Sequence, residues 1–546
     1  MTDRVFNLLR EAWLPVRRLS GAGELLRPRD LTDGIHEDPI VAFDWGRPDF
    51  DTASREFLIG LLSTACAARV LDGRAWRDWW RNPPSADALD ASLASFADAF
   101  DLDGDGPRFM QDREDFAGAA VPVEALLIDS PGENTIKFNK DLFVRRGRVG
   151  TLSRGAAAMA LFALHTYAPE GGRGLCTGLR GGGPMTCTVL PDADDAPALW
   201  HRLWLNTFAG DDWLQPATDD RPIFPWTVAT RVSDKGVNTT PEHAHPAACF
   251  WGMPRRIRLD FEANEGARAC DLIGIVDEVL VASYRSKPKG NKYEAWGRKH
   301  PLTPYYRSKP TDVEWLALHP QPGRPGYGDW LGLVIADDAD PARILRQPPA
   351  IVASAENRLD GLRRAGRPLL HIAGYDTRQR TARGFVEHEM PLVVVEEELR
   401  QECDLVLRAW IRGAREAEGL LDSAVQRALG EKKRDQGQRW IVGERFWAET
   451  EPAFLERARR LPDHLRVDVD ETALAGDWLV QLRRHVLRLF DEAVPPASID
   501  ATDPKPYVAA RSMLHAGMRG YGKQGRRLFA ALDLKAPESR RKEKAA

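Results

Sequence analysis

The pattern of apolar and polar residues changes character near Pro391. Before it, short apolar runs alternate with glycine and proline turns, and a few segments such as Ser54–Val70 have helical spacing. Candidate strands, each bounded by turn residues, are Thr186–Leu190, Arg256–Phe261, Gly274–Val281 and Trp330–Ile335. The pattern has no regular βαβ cadence and no repeat. It predicts a large, irregular mixed α/β domain over residues 1–390.

After Pro391 the chain is rich in Glu, Arg, Ala and Leu with helical periodicity. Four such segments, separated by Gly or Pro/Asp-rich breaks, are Glu396–Gly430, Gln438–Leu461, Glu471–Glu492 and Pro504–Leu532. They predict a four-helix bundle over residues 391–535, followed by a solvated charged tail over residues 536–546. The expected fold class is therefore α+β, with a large irregular mixed N-terminal domain and a C-terminal four-helix bundle.

Composition and charge narrow the function classes only slightly. The 546 residues are 43% hydrophobic and include 17 tryptophans, which indicates thick cores or extensive contact surfaces. Lys and Arg number 76 against 80 for Asp and Glu. Because no global positive field attracts nucleic acid, any DNA contact must come from a local basic patch.

The cysteines and the N-terminus indicate a cytoplasmic protein. The 6 cysteines are dispersed without a CxxC pair, so we expect them to be reduced and mostly buried. The N-terminus lacks an apolar core of signal-peptide length, and the longest apolar run, near Ala156–Leu164, is too short to cross a bilayer. We expect no membrane association.

Motifs for common enzyme chemistries are absent from the sequence, which has no GxGxxG before a helix, no Walker loop, no GxSxG and no HExxH. The segment Asp101–Gly106, with Asp112 at the twelfth position, resembles a calcium loop. However, Pro107 follows the glycine, Arg108 replaces an apolar residue and the twelfth ligand is Asp instead of Glu. An acidic turn explains the same residues, and we expect no enzyme and no calcium.

A zinc site is the second metal alternative. Imidazole and thiolate ligands are available from Glu242, His243, His245 and Cys249, but their spacing matches no common zinc pattern. Because of that mismatch, a loop leading into the segment Phe250–Pro254 explains them better. The sequence therefore predicts neither a metal nor another cofactor.

The densest glycine cluster follows the apolar helix that ends near Tyr167. It comprises Gly171–Gly174, with Arg173, and Gly178–Pro184, with Arg180. Glycines let backbone amides approach a phosphate or a groove edge that a Cβ atom would block, and the arginines add charge and forked donors. A flexible turn between helix and strand explains the cluster equally well.

A basic run interleaves cations with aromatic residues over Tyr284–Tyr293 and continues through Trp296, Arg298, Lys299 and His300. This mixture suits phosphate contact combined with base stacking. A solvated surface hairpin is the alternative, normally favoured for a charge run. The residues alone do not separate the two.

The order of motifs along the chain resembles that of the CasA family, the large subunits of type I-E CRISPR Cascade complexes. The motifs that carry the resemblance are Phe6–Leu9, Trp13–Val16, Pro107–Gln111, Gly178–Met185, Leu203–Asn206, Phe250–Arg256 and Gly374–Tyr375. The resemblance covers nearly the whole chain, and the helical C-terminal pattern agrees with it.

The resemblance implies a non-enzymatic subunit that reads the protospacer-adjacent motif (PAM) of double-stranded target DNA, chiefly through the minor groove. The degenerate code of that groove fits tolerance of several PAM sequences. Strand separation would then let the guide crRNA pair with its target. The implied partners are the backbone, crRNA-handle-binding and small subunits, the crRNA and the helicase-nuclease.

Three DNA-binding elements are implied at positions of this chain. The glycine loop corresponds to Glu170–Gly174, where the candidate residues are Gly171, Gly172, Arg173 and Gly174, and Arg173 replaces an expected glycine. A minor-groove lysine corresponds to either Lys289 or Lys292. A glutamine wedge, which splits the first base pair below the PAM, corresponds to Gln379 between Arg378 and Arg380.

The resemblance also implies a loop that docks onto the crRNA end and the backbone subunits. It would lie within Ser130–Val144, and its contacts would be Asn134, Phe138, Asn139 and Lys140. The polar sequence, opened by Pro and Gly, fits a segment that orders on assembly. Some relatives carry a cysteine cluster after the position of Cys270; only this cysteine is present here, so no metal is expected.

Overall fold

The structure is a computed structural model of the chain. It describes residues 5–132, 136–138, 147–172, 174–194, 196–214, 220–309, 311–321, 326–337, 345–362, 366–378, 380–429, 437–467, 469–495 and 504–538. The chain forms two compact units. Unit 1 comprises Met1–Gly323, Asp340–Arg358 and Gly366–Glu389, and unit 2 comprises Arg324–Ala339, Leu359–Ala365 and Met390–Ala546.

Unit 1 contains small antiparallel sheets rather than one dominant sheet. Its strands are Leu14–Arg18, Gly23–Leu26, Ile40–Phe43, Val121–Pro122, Leu152–Ser153, Thr186–Leu190, Arg256–Ala263, Val279–Lys287, Tyr305–Arg307, Leu316–Ala317, Leu345–Gln347 and Leu369–Arg378, with Thr381–Pro391 reaching into unit 2. The ladder between Arg256–Ala263 and Val279–Lys287 pairs Arg256 with Lys287 at one end and Ala263 with Val279 at the other. The basic run therefore starts on a strand and continues beyond its end.

Helices of unit 1 surround an aromatic core. They are Pro48–Ala65, Ala67–Leu71, Gly73–Arg81, Ala86–Leu93, Arg154–Tyr167, Leu199–Leu205 and most of Ala350–Gly361. The ring of Phe57 meets those of Trp13, Phe109, Phe162 and Trp251 edge-on at centroid distances of 5.5 to 5.9 Å. Because such edge-to-face pairs add to the burial of large rings, this cluster fixes the helix Pro48–Ala65 in the core.

Of the four strands predicted before residue 390, two agree with the structure and two differ. Thr186–Leu190 is a strand as predicted, and Arg256–Phe261 extends to Ala263. The predicted strand Gly274–Val281 begins later, at Val279, because Gly274 and Ile275 fold back in a turn onto Cys270. The predicted strand Trp330–Ile335 is wrong: Trp330–Leu333 is a tight turn with non-helical backbone at Leu331 and Gly332, and it belongs to unit 2.

Unit 2 is helical in its C-terminal part, with helices Glu397–Leu429, Gly437–Arg466, Glu471–Ala493, Lys505–Gly517 and Gly522–Ala531. The last predicted helix is thus two helices. Gly520 has a φ of 87°, a left-handed conformation that ends the first of them. The α+β class with a helical C-terminal region is confirmed, whereas the boundary at residue 390 stays a prediction.

The core of unit 2 includes a segment from well before the helices. The ring of Tyr327 stacks on Phe454 at 4.3 Å and meets Trp478 at 6.1 Å, and Trp330 meets Phe454 at 5.2 Å. The short apolar run Trp330–Ile335 suggested a strand, but its burial comes from packing on these helices. Within the described part of the chain, no helix is long and apolar enough to span a bilayer.

Candidate nucleic-acid interface

The glycine cluster consists of two halves that differ in their surroundings. We call Glu170–Leu175 the open half and Gly178–Pro184 the anchored half. In the open half, the amide of Gly171 donates to the carbonyl of Leu175 at 3.0 Å, which closes a tight turn. A Cβ atom at Gly172 would meet nothing within 4 Å. Gly172 therefore presents bare backbone to open space.

The open half contacts the end of the basic run directly. The amide of Lys289 donates to the carbonyl of Gly174 at 2.9 Å. Gly174 has a φ of 78°, and a Cβ atom there would lie 3.2 Å from the Lys289 nitrogen. Both conditions favour glycine, so the sequence at this position fixes the loop against the turn that carries Lys289.

The hairpin Leu369–Arg378 and Thr381–Pro391 reaches the open half from another direction. The guanidinium of Arg380 pairs with the carboxylate of Glu170 at 3.0 Å. The hairpin also packs on the anchored half, where a Cβ atom at Gly183 would lie 2.4 Å from the Thr377 methyl. The glycine loop, the Lys289 turn and the residues flanking position 379 thus meet in unit 1. Two predicted residues, Arg173 and Gln379, lie outside the described residues.

The candidate lysines are exposed and each faces a carboxylate. Lys289 Nζ lies 2.7 Å from Asp234 Oδ1, and Lys292 Nζ lies 2.7 Å from Glu294 Oε1. The hydrogen bond with Glu294 raises the pKa of Lys292, and the bond with Lys289 lowers the pKa of Asp234. Lys289 is the lysine whose backbone contacts the open half, but either side chain remains a candidate for the groove.

Arg180 is not an exposed cation, so it does not supply the charge that one of the two interpretations of the cluster assigned to its arginines. It is 6% exposed. Its guanidinium pairs with Glu56 and donates to Thr303 Oγ1 at 2.9 Å and Thr186 Oγ1 at 3.1 Å. These bonds use its charge inside unit 1 and fasten the anchored half to the helix Pro48–Ala65.

Glu56 is the centre of a buried polar network that the sequence analysis missed. It also accepts a hydrogen bond from Tyr167 at 3.0 Å, and His300 Nε2 lies 3.3 Å from it. Burial opposes ionisation of Glu56, but Arg180 and His300 outweigh it and lower its pKa to about 2. Burial, followed by the charge of Arg180, lowers the pKa of His300 to about 4. The available signal was an acidic residue directly before the apolar stretch Phe57–Leu62.

Arg255 is a second positioning residue that sequence reasoning missed. Its guanidinium donates to the carbonyl of Pro169 at 2.8 Å and to that of Cys176 at 3.4 Å. These carbonyls lie just before and just after the open half. One side chain therefore spans the base of the loop and sets its width. Arg255 is part of the Phe250–Arg256 motif, but no sequence pattern indicated that it would bridge the two ends of the loop.

The aromatic residues of the basic run do not form an exposed stacking surface. Tyr284 is 8% exposed and Trp296 is 3% exposed. The indole of Trp296 donates to the carbonyl of Thr239 at 2.9 Å. Their burial does not fit base stacking by these two residues, which was part of one of the two interpretations of the run, because the rings secure the basic run to the core. The cations alone remain at the surface.

The predicted assembly loop is described only in part. Phe138 is 58% exposed, whereas Asn134, Asn139 and Lys140 lie outside the described residues. At the start of the loop, Leu127, Asp129 and Ser130 line a cavity of about 490 Å³.

The residues of the two metal alternatives have internal roles. Asp103 accepts from the amide of Phe6 at 2.8 Å, and buried Asp112 pairs with Arg256. The rings of His243 and His245 accept from the backbone of their own turns. Across the ranges that the structure describes, no group of three or more His, Cys, Asp or Glu side chains is placed to hold a metal ion.

Comparison with known proteins identifies the class of this chain. The sequence profile of the family described as CRISPR-associated protein Cse1 matches residues 7–489. This match covers most of the chain. The chain therefore belongs to the Cse1, or CasA, family of CRISPR-associated proteins.

Solved structures have the same fold over nearly the full length. Thermus thermophilus CasA (Cse1) is 18% identical with a TM-score of 0.64, and the match covers 96% of this chain and 99% of that chain. Thermobifida fusca Cse1 is 17% identical with a TM-score of 0.65, covering 97% and 98%. A chain of a CRISPR RNA-guided surveillance complex is 17% identical with a TM-score of 0.51, covering 93% and 99%. At such low sequence identity, the similarity to these structures shows a shared fold and nothing more.

Proposed function

We propose that this protein is the PAM-reading large subunit of a type I-E Cascade surveillance complex. Membership in the Cse1 family and the fold shared with a chain of an RNA-guided surveillance complex support this assignment. In this role it binds double-stranded target DNA through the minor groove and starts the strand separation that lets crRNA pair.

The observation that carries the proposal is the meeting of three segments at the open half. Gly174 is bonded to Lys289, and Glu170 is paired with Arg380. Bare backbone at Gly172 lets a groove edge approach, and nearby cations attract the flanking phosphates. These segments are far apart in sequence, so their convergence is not a consequence of chain proximity.

The hairpin supplies the wedge in this proposal. Gln379 lies in sequence between Arg378, the last residue of the first strand, and Arg380, which precedes the second strand. Unstacking a base step costs roughly a few kcal/mol, which cations beside the wedge help to offset by binding the backbone. Packing of Thr377 on Gly183 connects the hairpin to the anchored half, which gives the wedge a rigid base.

The remaining parts of the proposal concern assembly. The segment Ser130–Val144, with exposed Phe138, docks onto the crRNA end and the backbone and crRNA-handle-binding subunits. The C-terminal helices contact the small subunits and the DNA path. The subunit also helps to recruit the helicase-nuclease, acts without catalysis of its own, and works in the cytoplasm during antiviral defence.

The test is binding of a PAM library by the assembled complex. The variant Lys289→Ala/Lys292→Ala should lose roughly tenfold or more in affinity for PAM duplexes, since a direct base contact is worth about 1–3 kcal/mol. Gln379→Ala should bind the duplex but open it more slowly. Arg173→Gly should alter which PAM sequences are preferred.

Arg268→Ala is the matched control, because Arg268 is also an exposed cation paired with a carboxylate, Glu262, at 2.6 Å. It should bind as the wild type does. If the lysine and glutamine variants also bind and open every duplex like the wild type, the proposal is wrong. The protein is then a structural assembly subunit without DNA contact.

A further inference from the structure

Three exposed cations beside the open half are each paired with a carboxylate of the same chain. Lys289 pairs with Asp234 at 2.7 Å, Lys292 with Glu294 at 2.7 Å, and Arg380 with Glu170 at 3.0 Å. The side chains of these lysines and of Arg380 are between 52% and 68% exposed. A DNA phosphate reaching this surface therefore competes with a carboxylate for every one of these cations.

Backbone hydrogen bonds place two of these carboxylates where they are. The amide of Ser233 donates to the carbonyl of Lys289 at 3.2 Å, so the neighbouring Asp234 is held beside that lysine. The amide of Glu294 donates to the carbonyl of Thr239 at 3.1 Å. The Glu294 carboxylate also accepts from the side chain of Asn238. Backbone contacts therefore fix the positions of these two acids beside the lysines.

The physical effect of such pairs is to weaken contact with any DNA. A cation that must leave a carboxylate gains less on meeting a phosphate than an unpaired one does. Exposed ion pairs are weak, so DNA can displace them. The net cost is small for each pair, but it applies to every encounter, including those with DNA that lacks a PAM.

We propose that Asp234, Glu294 and Glu170 are specificity-determining residues that compete with DNA phosphates for the cations of the PAM-reading surface. They shorten encounters with duplexes that offer only backbone phosphates. A duplex that also makes groove contacts with the open half is retained. This inference rests on the proposed function, because it assumes that these cations meet DNA.

The experiment measures binding of the assembled complex to a labelled duplex without a PAM, by fluorescence anisotropy at low salt. Asp234→Asn, Glu294→Gln and Glu170→Gln keep the size of each side chain and remove its charge. Each should raise the affinity roughly 1.5- to 5-fold, the range that the strength of an exposed pair implies. At about 1 M salt the differences should vanish, because the Debye length is then about 3 Å.

The control variant separates this mechanism from a change in total charge. Glu262→Gln removes a similar carboxylate, exposed and paired with Arg268, and Glu262 lies opposite Leu280, away from the Lys287 end of its ladder. It should leave the affinity unchanged. Adding Lys289→Ala to Asp234→Asn should abolish the gain from Asp234→Asn, since the freed cation is then missing.

These experiments distinguish a failure of the proposed competition from a failure of the proposed function. If the acid variants bind no more tightly than the wild type while Lys289→Ala/Lys292→Ala binds PAM duplexes more weakly, the competition is refuted and the DNA-reading function stands. If neither set changes binding to any duplex, the proposed function fails as well. An equal gain from Glu262→Gln would attribute the effect to net charge and overturn the inference.

Discussion

The two halves of the glycine cluster have similar amino-acid compositions but different physical roles. In the anchored half, Arg180 is buried and paired with Glu56. Gly178, Gly182 and Gly183 pack against other backbone. In the open half, Gly172 faces open space and the nearby cations are exposed. A segment rich in glycine and arginine can therefore either be fixed inside the protein or form a binding surface. The burial of its residues distinguishes the two cases.

This difference assigns a task to each half. The anchored half is fixed by a buried ion pair, which is costly to break because one charge is then left without a partner in a low-dielectric interior. The open half is held by backbone bonds and by Arg255 at its base, which leaves its outer surface available. Changes in the anchored half should thus reduce stability, and changes in the open half should reduce binding.

The largest expected effect on stability is that of Arg180→Ala. It leaves Glu56 buried without its main partner and should lower the free energy of unfolding by about 3–5 kcal/mol. Urea denaturation of the full chain, followed by tryptophan fluorescence, measures this loss. Lys289→Ala, a change at an exposed position, should stay within about 0.5 kcal/mol. Equal stability of the two variants would contradict the division into halves.

The second prediction concerns acid. His300 is neutral in the folded state, since burial and Arg180 lower its pKa to about 4, whereas an unfolded histidine titrates near pH 6.5. The unfolded state thus binds more protons between these values, and stability falls as the pH drops from about 6.5 to 4. The expected loss from His300 is roughly 3 kcal/mol, at about 1.36 kcal/mol per pKa unit.

Denaturation at several pH values checks this prediction. His300→Gln should flatten the dependence between pH 6.5 and 4, whereas exposed His36→Gln should leave it unchanged. Glu56 has a lowered folded pKa of about 2, so its contribution is present above the unfolded value and is lost as the pH falls through about 4 to 2. An unaltered slope in His300→Gln would show that the network does not control acid stability.

The smallest predicted effects on stability are those of replacing Gly182 or Gly172 by alanine, and the two replacements should differ. A Cβ atom at Gly182 would lie 2.5 Å from Pro169 Cα, so Gly182→Ala should cost about 1–3 kcal/mol. Gly172→Ala should keep wild-type stability, because nothing lies within 4 Å, yet weaken binding to PAM duplexes by obstructing the groove edge. Gly118→Ala, which is also unobstructed, is the control for binding. If Gly172→Ala bound PAM duplexes as tightly as the wild type, the open half would not be part of the interface.

The sequence predicted the fold more completely than the interface. The short apolar run bounded by turn residues located Thr186–Leu190, and apolar periodicity located the long C-terminal helices, because both signals are local in the sequence. It failed at Trp330–Ile335, where packing of Trp330 on Phe454 in a distant helix determines the conformation. Such tertiary contacts leave no local periodic signal.

The candidate interface depended on contacts that no local pattern encodes. The resemblance to the CasA family indicated the glycine loop and the lysines, but not that Lys289 bonds to Gly174. The sequence left the role of Arg180 open, because its partner Glu56 lies far away in the sequence. The bridging role of Arg255 was hidden for the same reason.

Hydrogen exchange of the assembled complex, with and without a PAM duplex, tests the central claim most directly. The account predicts that the duplex slows exchange in peptides covering residues 170–175 and 288–293. Residues 178–184, whose protection comes from internal packing, should not change. Unchanged exchange in the first two segments, or slowing confined to residues 178–184, would contradict the account.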